Sequence, residues 1–274
     1  MELRGRRVLV TGANTGIGRI IAVQLAKKGA RLVLANRSRA RSEAVLAELS
    51  ALGLAAEPEL VEMDLAHLDS VRKAAEQLRE GSPFGLIVNN AGLAGHRGQT
   101  EDGFELAFGV NHLGPYLLTR SLLEHLESPA RIVNVASKAH ERAKGIDWAA
   151  LTRPTRSVTG VSEYEVSKLA NVLFTLALHR RLPDSVRTYA VHPGVVRTEI
   201  WRRIPQPVRW FMTRSMISPE EGAEGPLLLC SEDVPSGSYY HRTRRKAPNP
   251  VALDEALQEE LWRRSAAWVG ITPD

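Results

Sequence analysis

Cysteine is almost missing from this chain, with Cys230 the sole one among 274 residues. No intramolecular disulfide and no multi-cysteine zinc cage can form, a pattern that fits a reducing compartment. Cys230 sits in the apolar run PLLLC, where a thiol serves better as a small buried hydrophobe than as a nucleophile. Long apolar runs are missing too. Nothing approaches the roughly 20 residues that cross a bilayer, and the N-terminus leads into a strand pattern rather than a signal peptide. The expectation is a soluble, cytoplasmic protein. The eight histidines show no HExxH or other paired spacing, so no metal is expected. The absence of a GxSxG elbow excludes the usual esterase arrangement. Repeats, low-complexity tracts and separating linkers are absent as well, which leaves one domain spanning 1–274 as the expectation. Charge is not segregated either. The formal net charge is +5, but arginines are scattered from Arg4 to Arg264 without a nucleic-acid-binding motif. Nucleic acid is therefore not an expected partner; solvated surface charge comes first and a phosphate-bearing cofactor second.

What is present begins with a core: 43% of residues are hydrophobic. Short aliphatic runs at Arg7–Thr11, Arg31–Asn36, Leu60–Asp64, Leu86–Asn90, Arg131–Ser137 and Val186–His192 read as strands. Helical periodicity fills the gaps, as in Ile17, Ile20, Ile21 and Leu25 before Gly29, and again over 40–52, 67–80, 101–126 and 162–182. Strands alternating with helices imply βαβ units, and apolar runs without polar alternation imply strands covered on both faces. The fold class expected is α/β: a Rossmann-type, doubly wound parallel sheet with helices on both faces. The stretches 138–161 and 199–218 are too long for simple connections, and long loops in compact domains are commonly functional.

The first strand runs into TGANTGIG, with glycines at 12, 16 and 18 in GxxxGxG spacing. Main chain must approach a pyrophosphate where no side chain fits, while the following helix offers free N–H groups and a positive dipole end. Gly12, Asn14, Thr15, Gly16, Ile17 and Gly18 are thus candidates for binding a dinucleotide; tight turn packing alone is the competing reading. An NAD-specific protein would carry an acid at the end of the second strand to bond the ribose hydroxyls. Here stand Asn36 and Arg37. Asn36 does not repel a 2′-phosphate and Arg37, with Arg39 or Arg41 nearby, can pair with one, so NADP is preferred. Asp64, with Leu65 beside it, either accepts the adenine amino group or caps the helix starting near His67. Asn90, Ala91 and Gly92 follow the fourth strand and line the cofactor where it crosses the switch point of the sheet.

NNAG at 89–92, Asn111 in VNHLG, Ser137 closing RIVNVAS, and YEVSK from Tyr164 to Lys168 then fall in order. In this combination the chain resembles the short-chain dehydrogenase/reductase family from about Arg6 to Thr198. EYEVSKLANVLFTLALHRRL and HPGVVRTE look most like the branch of retinol dehydrogenases and related carbonyl reductases. The resemblance implies a catalytic tetrad of Asn111, Ser137, Tyr164 and Lys168. It also implies that the Pro193–Thr198 loop binds the nicotinamide carboxamide through the Val196 backbone and the Thr198 hydroxyl, although Pro193 and Gly194 suit a plain turn equally well.

Physical chemistry supports the tetrad independently, because residues four apart share one helix face. A tyrosine near pKa 10 exchanges protons poorly at neutral pH. An ammonium about 4 Å away, at an effective dielectric of 20, is worth roughly 4 kcal/mol, or about three pK units. Tyr164 is therefore expected to exchange a proton with the substrate oxygen, Ser137 to hydrogen-bond that oxygen, Lys168 to hold the nicotinamide ribose, and Asn111 to order a water toward Lys168.

The 199–218 segment carries Trp201, Ile204, Trp210, Phe211, Met212 and Ile217 among arginines. A substrate lid over an apolar or aromatic aldehyde, ketone or alcohol is expected, with a dimer contact and a peripheral membrane-touching helix as alternatives. Trp148 is a further pocket-wall candidate. The helix after Tyr164 is apolar nearly all round, which calls for a cover: a homodimer or another part of this chain. The function expected is NADP-dependent hydride transfer; the alternative is a non-catalytic NADP-binding regulator of the same fold.

Overall fold

The computed structural model describes residues 1–196 and 216–274. Strands β1 (Arg7–Thr11), β2 (Arg31–Asn36), β3 (Glu59–Glu62), β4 (Phe84–Asn89), β5 (Leu126–Val135) and β6 (Val186–His192) pair in parallel in the order β3-β2-β1-β4-β5-β6. β7 (Ser238–His241) adds a parallel strand beside β6, and β8 (Arg244–Lys246) closes that edge antiparallel. Every residue of β1 and β4 is buried, as expected of strands with helices on both faces.

One layer is formed by α1 (Gly16–Lys27), α2 (Arg39–Ser50) and α7 (Pro219–Ser231), which seal a core that includes Val8, Val10, Ile21, Leu34, Leu86 and Tyr189. The opposite layer holds α3 (Leu68–Arg79), the short α4 (Leu106–Phe108), α5 (Gly114–Leu122), α6 (Val161–His179) and α8 (Glu255–Trp268), over a core that includes Leu9, Ile87, Phe108, Tyr116, Leu173 and Trp262. Cys230 is buried in the first core, and burial pushes its thiol up to about 12, so it is an inert apolar filler.

Three sequence expectations change here. The helix expected over 101–126 is broken: between α4 and α5 the chain makes a π-helical turn over Gly109–Leu113. Wide turns of this kind are often found at functional sites, and this one carries Asn111. The apolar circumference of α6 is covered by this chain's own C-terminal helix, Phe174 stacking on Trp262 at 5.9 Å, so α6 no longer calls for a second copy. Trp148 packs toward that same helix, 6.3 Å from the Trp268 ring and 4.9 Å from the Arg264 guanidinium. Among the described residues no helix is long and apolar enough to cross a membrane, and no cluster of metal-binding side chains occurs.

Candidate active site

The β1–α1 turn is built for main chain to approach main chain. Gly12 has φ +65°, and a Cβ there would lie 2.8 Å from Ala91 Cα. At Gly18 a Cβ would lie 2.3 Å from both the Gly12 carbonyl oxygen and Asn90 Nδ2. Gly16 has φ +56°, a left-handed conformation that suits glycine best. Thr15 stands at the N-cap of α1 without a side-chain cap, and no acid occupies the first turn, which leaves this end of the helix suited to an anion. Asn14 lies in the same turn, and Ile17 packs as a partly buried residue against the first core.

The turn is pinned to β4 by groups the sequence gave little reason to single out. Thr11 Oγ1 accepts from the Asn90 and Ala91 N–H groups, each at 3.0 Å, and Asn90 Nδ2 donates to the carbonyls of Thr11 and Gly12 at 2.9 and 3.2 Å. Asn36 has a different task from the one expected. It is buried, its Oδ1 accepts from Ala13 N at 2.8 Å and its Nδ2 donates to Ser42 Oγ at 3.0 Å, so it braces the glycine turn instead of facing a phosphate. Arg37 stays outside, 64% exposed and 4.0 Å from Asp64. Asp64 accepts from Ala66 N at 2.9 Å, whereas Leu68 N at the start of α3 donates to Asp102, so Asp64 does not cap that helix. Arg37, Asp64, His67, Ser70 and Lys73 line one surface depression. Leu65 is buried, its carbonyl 2.8 Å from where a Cβ on Gly114 would sit.

At the other end of the cleft the four tetrad candidates converge. Ser137 leaves β5 half-buried, and its hydroxyl is hydrogen-bonded with Tyr164. Lys168 is 4% exposed; its Nζ donates to the Val135 carbonyl at 3.0 Å and lies 5.7 Å from the centroid of the Tyr164 ring. Asn111 Oδ1 accepts from Leu93 N at 2.8 Å, while Nδ2 donates to the Leu93 carbonyl at 3.0 Å and to Ser167 Oγ at 2.9 Å. Both amide hydrogens are thereby committed, so any water Asn111 orders is held through Oδ1. Gly92 lies between them: a Cβ there would be 3.0 Å from Asn111 Oδ1 and 3.5 Å from Lys168 Nζ.

The electrostatics differ from the simple expectation of a phenol lowered by an ammonium. Burial around the Tyr164 hydroxyl pushes its pKa up, and the hydrogen bond with Ser137 draws it partway back. Burial also lowers Lys168 to about 8. The cause is placement: the ammonium is aimed at the end of β5, not at the phenol oxygen. The immediate partner of the phenol is Ser137.

Beyond β6, Pro193 and Val196 are buried and Gly194 has φ +102°, with Ile217 Cδ1 only 2.5 Å from where its Cβ would be. Ile217 N donates to the Val195 carbonyl at 3.0 Å, so the end of the expected lid folds back on this loop. Thr198 and most of the 199–218 segment lie outside the described residues.

A parallel sheet with a glycine turn after β1 and a Ser-Tyr-Lys group at the ends of β5 and α6 defines a class. Residues 6–208 match the short chain dehydrogenase family, and the chain belongs to it. Among individual relatives, human retinol dehydrogenase 13 is 40% identical over 286 aligned positions, which span 97% of this chain and 85% of that protein. A solved structure of an uncharacterized protein from Mycobacterium paratuberculosis superposes with a TM-score of 0.81 at 31% identity, covering 100% of this chain and 96% of its own. A short chain dehydrogenase from Burkholderia cenocepacia, solved in complex with NADP, gives a TM-score of 0.69 at 26% identity, covering 88% and 97%.

Proposed function

We propose that this protein is an NADP-dependent oxidoreductase that moves a hydride between the nicotinamide and the carbon of an apolar or aromatic aldehyde or ketone, or the corresponding alcohol. The observation that carries the reading is the meeting of Ser137, Tyr164, Lys168 and Asn111 around Gly92, at the same sheet end as the glycine turn. The residues fit a dinucleotide: the turn admits no side chain at positions 12 and 18, α1 opens without a cap, and Arg37 is free to meet a 2′-phosphate. A relative solved with NADP supports the same choice. The aromatic and aliphatic content of 199–218 supports an apolar substrate, and the lone buried Cys230 suits the reducing cytoplasm.

The bound cofactor supplies the hydride. Tyr164 gives a proton to the substrate oxygen during reduction and takes it back during oxidation. Ser137, already bonded to the phenol, donates to the same oxygen as charge develops on it, an interaction stronger in the transition state than in the ground state. Lys168 uses one N–H on Val135 and directs its remaining donors into the cleft, where ribose hydroxyls are natural acceptors. Asn111 holds the Leu93 backbone and so fixes the wall behind Gly92.

The test is an NADPH-consumption screen over aliphatic, aromatic and isoprenoid carbonyls, with NADH in parallel. Turnover that prefers NADPH is expected. Tight NADPH binding with every carbonyl and alcohol inert would replace this reading with that of a non-catalytic NADP-binding regulator.

A further inference from the structure

We propose that His140 is a positioning residue for Ser137, and that Asn249, 109 positions further along the chain, holds His140 in that role. The proposal rests on the part assigned to Ser137 above and adds two residues to the machinery behind it.

Ser137 is the last residue before a tight helical turn, Lys138–Arg142, and nothing in its own strand anchors the far side of that turn. Its carbonyl accepts twice from one residue: from His140 N at 3.1 Å and from His140 Nδ1 at 2.7 Å. The second bond requires the ring hydrogen on Nδ1. Nε2 is then an acceptor, and Asn249 N donates to it at 3.1 Å. Both ring nitrogens are spent, one toward Ser137 and one toward Asn249, and the tautomer is dictated by its neighbours. The ring is fully buried and packs edge-on against Tyr239 at 4.6 Å.

Asn249 braces the same turn from outside. Its Nδ2 donates to the carbonyls of His140 and Ala143 at 3.0 and 2.8 Å, and its Oδ1 accepts from Val251 N at 3.0 Å. A closed network of this kind rigidifies what it holds, because breaking any member strands a buried polar group. The network ends on the residue whose hydroxyl bonds the Tyr164 phenol. Reacting groups need placement within about half an ångström, which a turn leaving a strand does not provide unaided.

Two substitutions separate the halves of the ring. His140→Asn keeps an N–H where Nδ1 stands and loses the acceptor for Asn249. His140→Gln keeps an acceptor where Nε2 stands and loses the N–H to Ser137. The full chain, labelled with carbon-13 at tyrosine Cζ, reports the Tyr164 hydroxyl by NMR without cofactor or substrate; Tyr164→Phe assigns the signal and Ser137→Ala marks its unpartnered position. His140→Gln is expected to move the Tyr164 signal toward the Ser137→Ala position. Its kcat should fall roughly ten- to a hundredfold with the NADPH KM unchanged, the scale of a sub-ångström misplacement. His140→Asn should stay close to wild type in both readouts, though less stable. Asn249→Ala, which removes no group touching Ser137, should give a partial shift in the Gln direction. Gln and Asn variants that behave alike, or a Tyr164 signal that stays in place in both His140→Gln and Asn249→Ala, would overturn the proposal. If wild type turns over no carbonyl while the signals move as expected, the functional reading fails and the positioning role stands.

Discussion

Around Gly12 and Gly18 the cleft wall is main chain packed on main chain, with glycines leaving the room and Thr11 and Asn90 locking the turn to β4. Around Ser137 and Asn111 the wall is side chain bonded to side chain, and much of the bracing comes from the C-terminal segment: Asn249 reaches the turn after Ser137, while Ser265 bonds His112 at 2.9 Å beside Asn111. The two ends are also backed by separate cores on opposite faces of the sheet. Binding and chemistry are thus built from different materials, and each can be damaged while the other survives.

The largest expected effect breaks the C-terminal brace. Trp262 is 2% exposed, stacked on Phe174, 5.4 Å from Tyr116 and flanked by the guanidinium groups of Arg120 and Arg181 at 4.5 and 4.3 Å. Trp262→Ala should cost about 3–5 kcal/mol in urea denaturation, the scale of large core truncations. Next comes Ser137→Ala, which acts on the chemistry end alone. It should lower kcat about 10²- to 10³-fold, as loss of one oxyanion donor does, with NADPH Kd unchanged by titration.

Arg37→Ala acts on the other end alone. Loss of a charge-assisted bond of roughly 1.5–3 kcal/mol should weaken NADPH about ten- to a hundredfold, leave NADH unaffected and preserve kcat at saturation. A kcat that falls in step would erase the division between the two ends. The smallest effect concerns Glu163, one residue before Tyr164. Burial alone would raise its carboxyl, but hydrogen bonds from Ser157 and Ser162 outweigh this and bring it from 4.5 to about 2. A folded-state value below the unfolded one gives stability that is present above pH about 4.5 and lost as pH falls through about 2. Thermal melts of Glu163→Gln over that range should show a shallower acid loss than wild type and a lower melting temperature at neutral pH.

The glycine end was legible because local spacing encodes it. Strands β1, β2 and β6 begin and end where their apolar runs do, since a strand buried on both faces leaves a continuous signature. Asn36 was misread because its type and position suit a ribose contact equally well, and only its partners, Ala13 N and Ser42, show a bracing role. α7 was hidden by Gly222, Gly225 and Pro226 inside it, although Ser218 and Glu221 form a capping box at its start. β7 and β8, four and three residues long, are too short for periodicity to show. His140 and Asn249 could not be paired from sequence at all, because no local pattern records a contact between positions so far apart.

The central claim, that Tyr164 serves the chemistry and not the cofactor, is tested by measuring NADPH affinity and carbonyl turnover on the same preparation of Tyr164→Phe. An unchanged Kd with kcat reduced about 10²- to 10⁴-fold, the usual contribution of a positioned proton donor, is the predicted result. Turnover near that of the unsubstituted protein, or a loss of turnover matched by an equal loss of NADPH affinity, would contradict it.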